Sequence, residues 1–146
     1  MKCRYTKYLL WLGAIISLVA YTRLFSENTT DNWQHLHHQA HIALHNEKYE
    51  HVIEICDQAI KADASSDNRY LMYVKKAKAL NKLHRYEEAL KSADLAVTIY
   101  SKKEEAYLVK VDALFNLGAE EELTAILEEI ESINPHTPLK PLLNSF

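Results

Sequence analysis

Only two glycines, Gly13 and Gly118, and three prolines, Pro135, Pro138 and Pro141, occur in the 146-residue chain. A sheet needs turn residues every few positions, and no alternating apolar and polar run bounded by such turns is present, so the scarcity points to an all-α fold with short turns. Cysteine is as rare. Cys3 and Cys56 lie on opposite sides of an apolar run and cannot pair with each other across a membrane; Cys56 falls on a core position of a helix. The chain also lacks a phosphate-cradling loop, a glycine-rich dinucleotide turn, a Cys-x-x-Cys pair and a nucleophile set in a strand-to-helix elbow. No catalytic residue, no cofactor and no small-molecule substrate are therefore expected, and the protein reads as a non-enzyme. A basic surplus is absent as well. The net charge is −3 overall, and residues 24–146 carry 13 Lys and Arg against 20 Asp and Glu, a balance of −7 that disfavours nucleic acid as a partner.

What is present at the start is an uncharged stretch over residues 8–21. Extended to Phe25 it has 18 residues, or ~27 Å of helix, enough for a bilayer with Arg23 snorkelling at the edge. Lys2, Arg4 and Lys7 precede it with no acid. Basic start and apolar run fit either an uncleaved signal anchor or a cleaved secretory signal. Leu18-Val19-Ala20 and Leu24-Phe25-Ser26 lack the small outer residue that cleavage requires, and Ala20-Tyr21-Thr22 meets it only marginally, so the anchor is the preferred reading. With three basic residues before the span and only Arg23 close after it, the N-terminus is expected in the cytoplasm and the rest outside, in a bacterium the periplasm. An organelle anchor with its bulk in the cytosol is the rival.

Beyond a polar linker expected at residues 26–32, the chain repeats itself. Leu36, Tyr73 and Tyr107 occupy equivalent places, as do Ala40, Ala77 and Val111, then Val52, Ala89 and Leu123, then Ala59, Ala96 and Ile130. Steps of this length mark stacked helix pairs, none of which can bury its apolar face alone. Asp31-x-x-Gln34 and Ser101-x-x-Glu104 read as capping boxes, and turns are expected at residues 46–47, 81–85 and 116–119. Tyr86-Glu87-Glu88-Ala89-Leu90 with Ala93, Ala96 and Val97, its counterpart from Tyr49 through Ile60, and the closing Asn134-Pro135 resemble the tetratricopeptide repeat (TPR). The expected architecture is a transmembrane helix at residues 1–25 followed by three helix-turn-helix repeats in a short right-handed solenoid. The repeats fall at about 33–66, 70–103 and 104–137, within 33–136, and 138–146 forms a cap over the last one. Val111, where the family has a small residue, Glu120, where it has an aromatic, and extra residues around 64–66 depart from the pattern.

Aligned by the repeat, His38, His41 and His45 lie over Lys75, Lys78 and Lys82, and these over Val109, Asp112 and Asn116. Spacings of three and seven keep each trio on one helix face. The resemblance implies that this face lines a concave groove for peptide segments of partner proteins, so these residues are the candidate partner site, basic in its first two helices when the histidines are protonated. A solvated face is the alternative for the lysines. Some members of the family grip acidic chaperone tails with Lys, Asn and Arg from successive inner helices. The matching positions here hold His37, His41, Lys75, Glu105 and Val109, so that clamp is broken and such binding is not implied. His37, His41 and His45 have the spacing that can place two imidazoles on one metal, yet no further ligand set completes a site, and no metal is expected. The clusters Glu120-Glu121-Glu122 and Glu128-Glu129 read as solvated faces. The function these readings converge on is a membrane-anchored TPR adaptor or scaffold that binds a peptide segment of a partner protein, one carrying carboxylates by the charge of the groove, and supports assembly of an envelope complex. A histidine-based metal or pH sensor, and an organelle receptor or tether, are the alternatives.

Overall fold

The computed structural model describes the backbone of residues 2–62 and 65–135 and, within them, the side chains of residues 13–21, 32–62 and 65–135. Among the described residues there are six helices: α1 (Lys2–His45), α2 (Tyr49–Ala62), α3 (Ser66–Lys82), α4 (Tyr86–Ile99), α5 (Glu104–Leu117) and α6 (Glu120–Ile133). Each packs on the next, and α3 also touches α1 and α5, so α1, α3 and α5 form an inner row with α2, α4 and α6 outside it. The Cys3 thiol and the expected cap at 138–146 lie outside the described residues.

The three turns within the helix pairs share one backbone path. Glu47, His84 and Gly118 all adopt left-handed φ angles, 59°, 59° and 69°. In each turn an amide reaches back five residues: Lys48 N–H donates to Ala43 O, Arg85 N–H to Leu80 O and Ala119 N–H to Leu114 O, at 2.9, 2.9 and 3.1 Å. These positions repeat at the same offsets as the sequence equivalences, so the geometry carries the same register. Glycine meets the left-handed requirement at only one turn; Glu47 and His84 bear its steric cost.

The core follows the register too. Val52, Ala89 and Leu123 are buried, as are Ala59, Ala96 and Ile130, and Ala40 with Ala77. Val111, the larger third member of that last set, is only half-buried. A second periodic contact ties successive repeats together. Lys76 pairs with Asp57 at 2.5 Å between α3 and α2, and Lys110 pairs with Asp94 at 2.6 Å between α5 and α4. Partly exposed pairs of this kind contribute at most about 1 kcal/mol, and their recurrence serves register more than stability.

Several local expectations need correction. Residues 26–32 are helical, because nothing between Gly13 and the turn at 46–48 is a glycine or proline that would stop the helix; the polar composition there does not make a break, and no helix starts at Asp31-x-x-Gln34. Ser101 does not cap α5 either: the helix starts at Glu104 behind Lys103, with no side-chain cap, and the Ser101 carbonyl instead accepts from the buried Tyr107 hydroxyl at 2.9 Å. The same hydroxyl lies 2.8 Å from Glu129 Oε1, so Glu129 is not merely solvated but reaches from α6 to α5. Burial, then the Glu129 carboxylate, push the Tyr107 phenol up to about 12.

The turns make a paired prediction. No atom lies near enough to meet a Cβ at Gly118, so Gly118→Ala should cost about 1 kcal/mol through backbone strain alone, whereas Glu47→Gly should raise stability by up to about 1 kcal/mol. Denaturant unfolding of both variants checks the opposite signs; equal destabilisation would mean that the two turns are not equivalent.

Candidate functional site

Across the inner row runs an open groove of about 380 Å³. Leu44 at the end of α1 and Tyr49 at the start of α2 form one wall; Leu108 and Val109 of α5 form the other, with Glu105 and Asp112 at its edges. Lys78, Asn81 and Lys82 of α3 make the floor. The placement follows from the repeat. The faces of α3 that carry Ala77 and Leu80 are buried against neighbouring helices, which leaves the face of Lys78 and Lys82 to the groove.

Of the eight candidate residues, Lys78, Lys82 and Asp112 line this groove together. His38, His41 and His45 are exposed on α1 outside it, and Asn116 is exposed on the last turn of α5, where its Nδ2 donates to the Asp112 backbone oxygen at 2.7 Å and lies 3.3 Å from Asp112 Oδ1. Lys75 is half-buried, and burial holds its ammonium below the ordinary lysine value. The histidines thus lie outside the groove that Lys78 and Lys82 line.

Electrostatically the groove is mixed rather than basic. Lys78 Nζ donates to Glu105 Oε1 at 2.5 Å, across from α3 to α5, so one of the two floor cations is met by a carboxylate of the same chain. Lys82 has no ion-pair partner among the described residues. Asn81 is buried, donates through Nδ2 to Val109 O at 2.9 Å, and has a buried Oδ1 without a donor among the described residues. Asn81, Leu44, Tyr49 and Leu108 were not singled out by charge-based reading, although the repeat offset that joins Leu44 to Asn81 was available to find two of them.

On α1, His37 stacks on Trp33 with ring centroids 4.9 Å apart. Burial, then Lys75, His41 and His38, hold its imidazole below the usual value. Among the described residues no group of three His, Cys, Asp or Glu side chains is placed to hold a metal ion. Cys56 is buried in the core, and burial pushes its thiol up to about 12, which leaves it a poor nucleophile at neutral pH.

The fold is TPR-like. Similar solved structures include the first TPR domain of human RPAP3, at 21% identity and a TM-score of 0.66 over 73% of this chain and 81% of that one. The second TPR domain of human RPAP3, solved in complex with the HSP70 peptide SGPTIEEVD, aligns at 23% identity and 0.68 over 75% and 89%. The Arabidopsis OM64 TPR domain aligns at 18% identity and 0.68 over 78% and 92%. No family model matches the sequence, and no curated protein matches it.

The depressed His37 value fixes the sign of a pH effect. Its contribution is complete above the unfolded value near 6.5 and is lost as pH falls from there through the folded value, because the unfolded chain takes up the proton first. Urea unfolding at pH 7.5 and 5.5 should therefore show a smaller loss on acidification for His37→Gln than for the parent chain; an equal loss would place the acid sensitivity elsewhere.

Proposed function

We propose that the protein is a non-enzymatic, membrane-anchored TPR adaptor that holds a peptide segment of a partner protein in the groove between α1, α3 and α5 and so supports assembly of a membrane-associated complex, with an envelope complex as the expected setting. The observation that carries the peptide half is the groove itself: an open surface with an apolar wall on either side of a polar floor, a lining that suits a chain segment. The solved complexes add a precedent for the fold, since a TPR domain of RPAP3 binds the HSP70 peptide and another binds the HSP90 peptide SRMEEVD.

The anchor half rests on the N-terminal arm. Ile15, Ile16, Leu18, Val19 and Tyr21 are all exposed on α1, on every side of the helix, and an apolar surface of that kind is stable in lipid or against another protein. Among the described residues no helix is long and apolar enough to cross a membrane. The apolar run of the sequence starts before Gly13, among residues whose side chains lie outside that description. Cytoplasmic residues before the span and repeats beyond it remain the orientation that the charge bias favours. A metal sensor is the weaker reading, since the histidines spread along α1 without a ligand set.

Two experiments test the halves separately. Leu108→Glu places a charge on the groove wall, and Leu95→Glu places one on the exposed side of α4. Cross-linking in native membranes should lose the partner with the first substitution and keep it with the second, while circular dichroism stays unchanged; loss with Leu95→Glu alone would move the binding face to the outer row. For the anchor, the full-length chain should stay in the membrane fraction through a carbonate wash, and release into the wash with the N-terminus intact would contradict it.

A further inference from the structure

The Lys78–Glu105 pair occupies the groove in the way that a ligand carboxylate would. Both side chains are exposed, yet they meet across the groove from different helices, so the cation at the centre of the floor is already answered from within the chain. One turn further along α3, Lys82 faces the same groove with no ion-pair partner among the described residues. Between them lies Asn81, buried and tied through Nδ2 to Val109 O, so it brings no charge to the groove. On either side stand the apolar walls, Leu44 and Tyr49 facing Leu108 and Val109.

Resting on the peptide-groove reading, we propose that the preferred occupant is an extended segment with a single carboxylate side chain set against Lys82 and an apolar side chain on each flank, and that Glu105 excludes ligands with several acidic residues in a row. A lone carboxylate gains a charge-assisted hydrogen bond from Lys82. A second or third one meets Glu105 and Asp112 with no further unpaired cation among the groove-lining residues to offset the repulsion. The two apolar flanks fill the walls and remove them from water. In an extended chain alternate side chains share a face, so the sequence Leu-Ser-Asp-Ser-Leu presents both leucines and the aspartate to the groove.

The test titrates the full-length chain in detergent against three fluorescein-labelled nonapeptides by fluorescence anisotropy. The first carries Leu-Ser-Asp-Ser-Leu between Gly-Ser ends, the second has Lys in place of Asp, and the third is SGPTIEEVD. The first should bind about tenfold or more tightly than the other two. Lys82→Glu should invert the order of the first two, Glu105→Gln should strengthen SGPTIEEVD by about tenfold by releasing Lys78, and Leu108→Glu should abolish all binding. If the Lys peptide or SGPTIEEVD binds as well as the first, and Leu108→Glu still abolishes it, the inference is overturned and the groove reading survives. If none of the three binds while Leu108→Glu still costs the native partner, the inference fails in the same way. Binding that ignores Leu108→Glu overturns both, because the peptides then sit outside the groove.

Discussion

Where α3 meets α4 and α5, the buried side chains at the crossings include Ala77, Ala89, Ala93, Ala96, Ala106 and Ala113, so methyl groups fill much of the contact between neighbouring helices. Interaxial distance depends on the size of the residues at the contact, and small ones at regular intervals hold successive helix pairs at a constant offset. That offset places the outward faces of α1, α3 and α5 side by side and opens the groove between them. A larger residue at any of these crossings would tilt one inner helix against the next and change which side chains reach the groove floor. The recurring pairs Asp57–Lys76 and Asp94–Lys110 join α2 to α3 and α4 to α5, so each outer helix meets the inner helix that follows it through the same contact.

Much of this architecture is written in the spacing of apolar and small residues, since burial selects residue size at fixed intervals and leaves a trace that composition alone would not. The turns at Glu47 and His84 were legible as turns but not as left-handed positions, because glycine marks such positions in sequence and only Gly118 supplies one. Helix ends were less legible for the opposite reason. Ser101 and Asp31 have the residue types of caps, yet the Tyr107 hydroxyl captures the Ser101 carbonyl and the uninterrupted α1 passes straight through Asp31. A capping motif is a local preference of about 1 kcal/mol, small enough for tertiary contacts to override.

The groove was half legible. Repeat alignment brings Lys78, Lys82 and Asp112 together, and they do line one surface. The expectation of a basic groove failed to weigh Glu105, which sits at a repeat position where its carboxylate crosses to Lys78. Sequence spacing shows which residues share a face of one helix; it says little about which side chain on the facing helix reaches across. The apolar walls escaped notice for a simpler reason, because Leu44 and Leu108 look like ordinary core residues until the structure leaves Leu108 exposed. A long α1 that continues from the apolar arm into the first repeat also replaces the polar linker expected at residues 26–32, and so couples the direction of the arm to that of α1 in the repeat stack.

The central claim is that the grooved face of the inner row is the binding face, and amide hydrogen exchange on the full-length chain with and without its cross-linked partner addresses it directly. Binding in the groove predicts slowed exchange in α3 around residues 78–83 and in α5 around residues 105–113, with α4 and α6 unchanged. Protection confined to α4 and α6, with α3 and α5 exchanging as in the free chain, would contradict it.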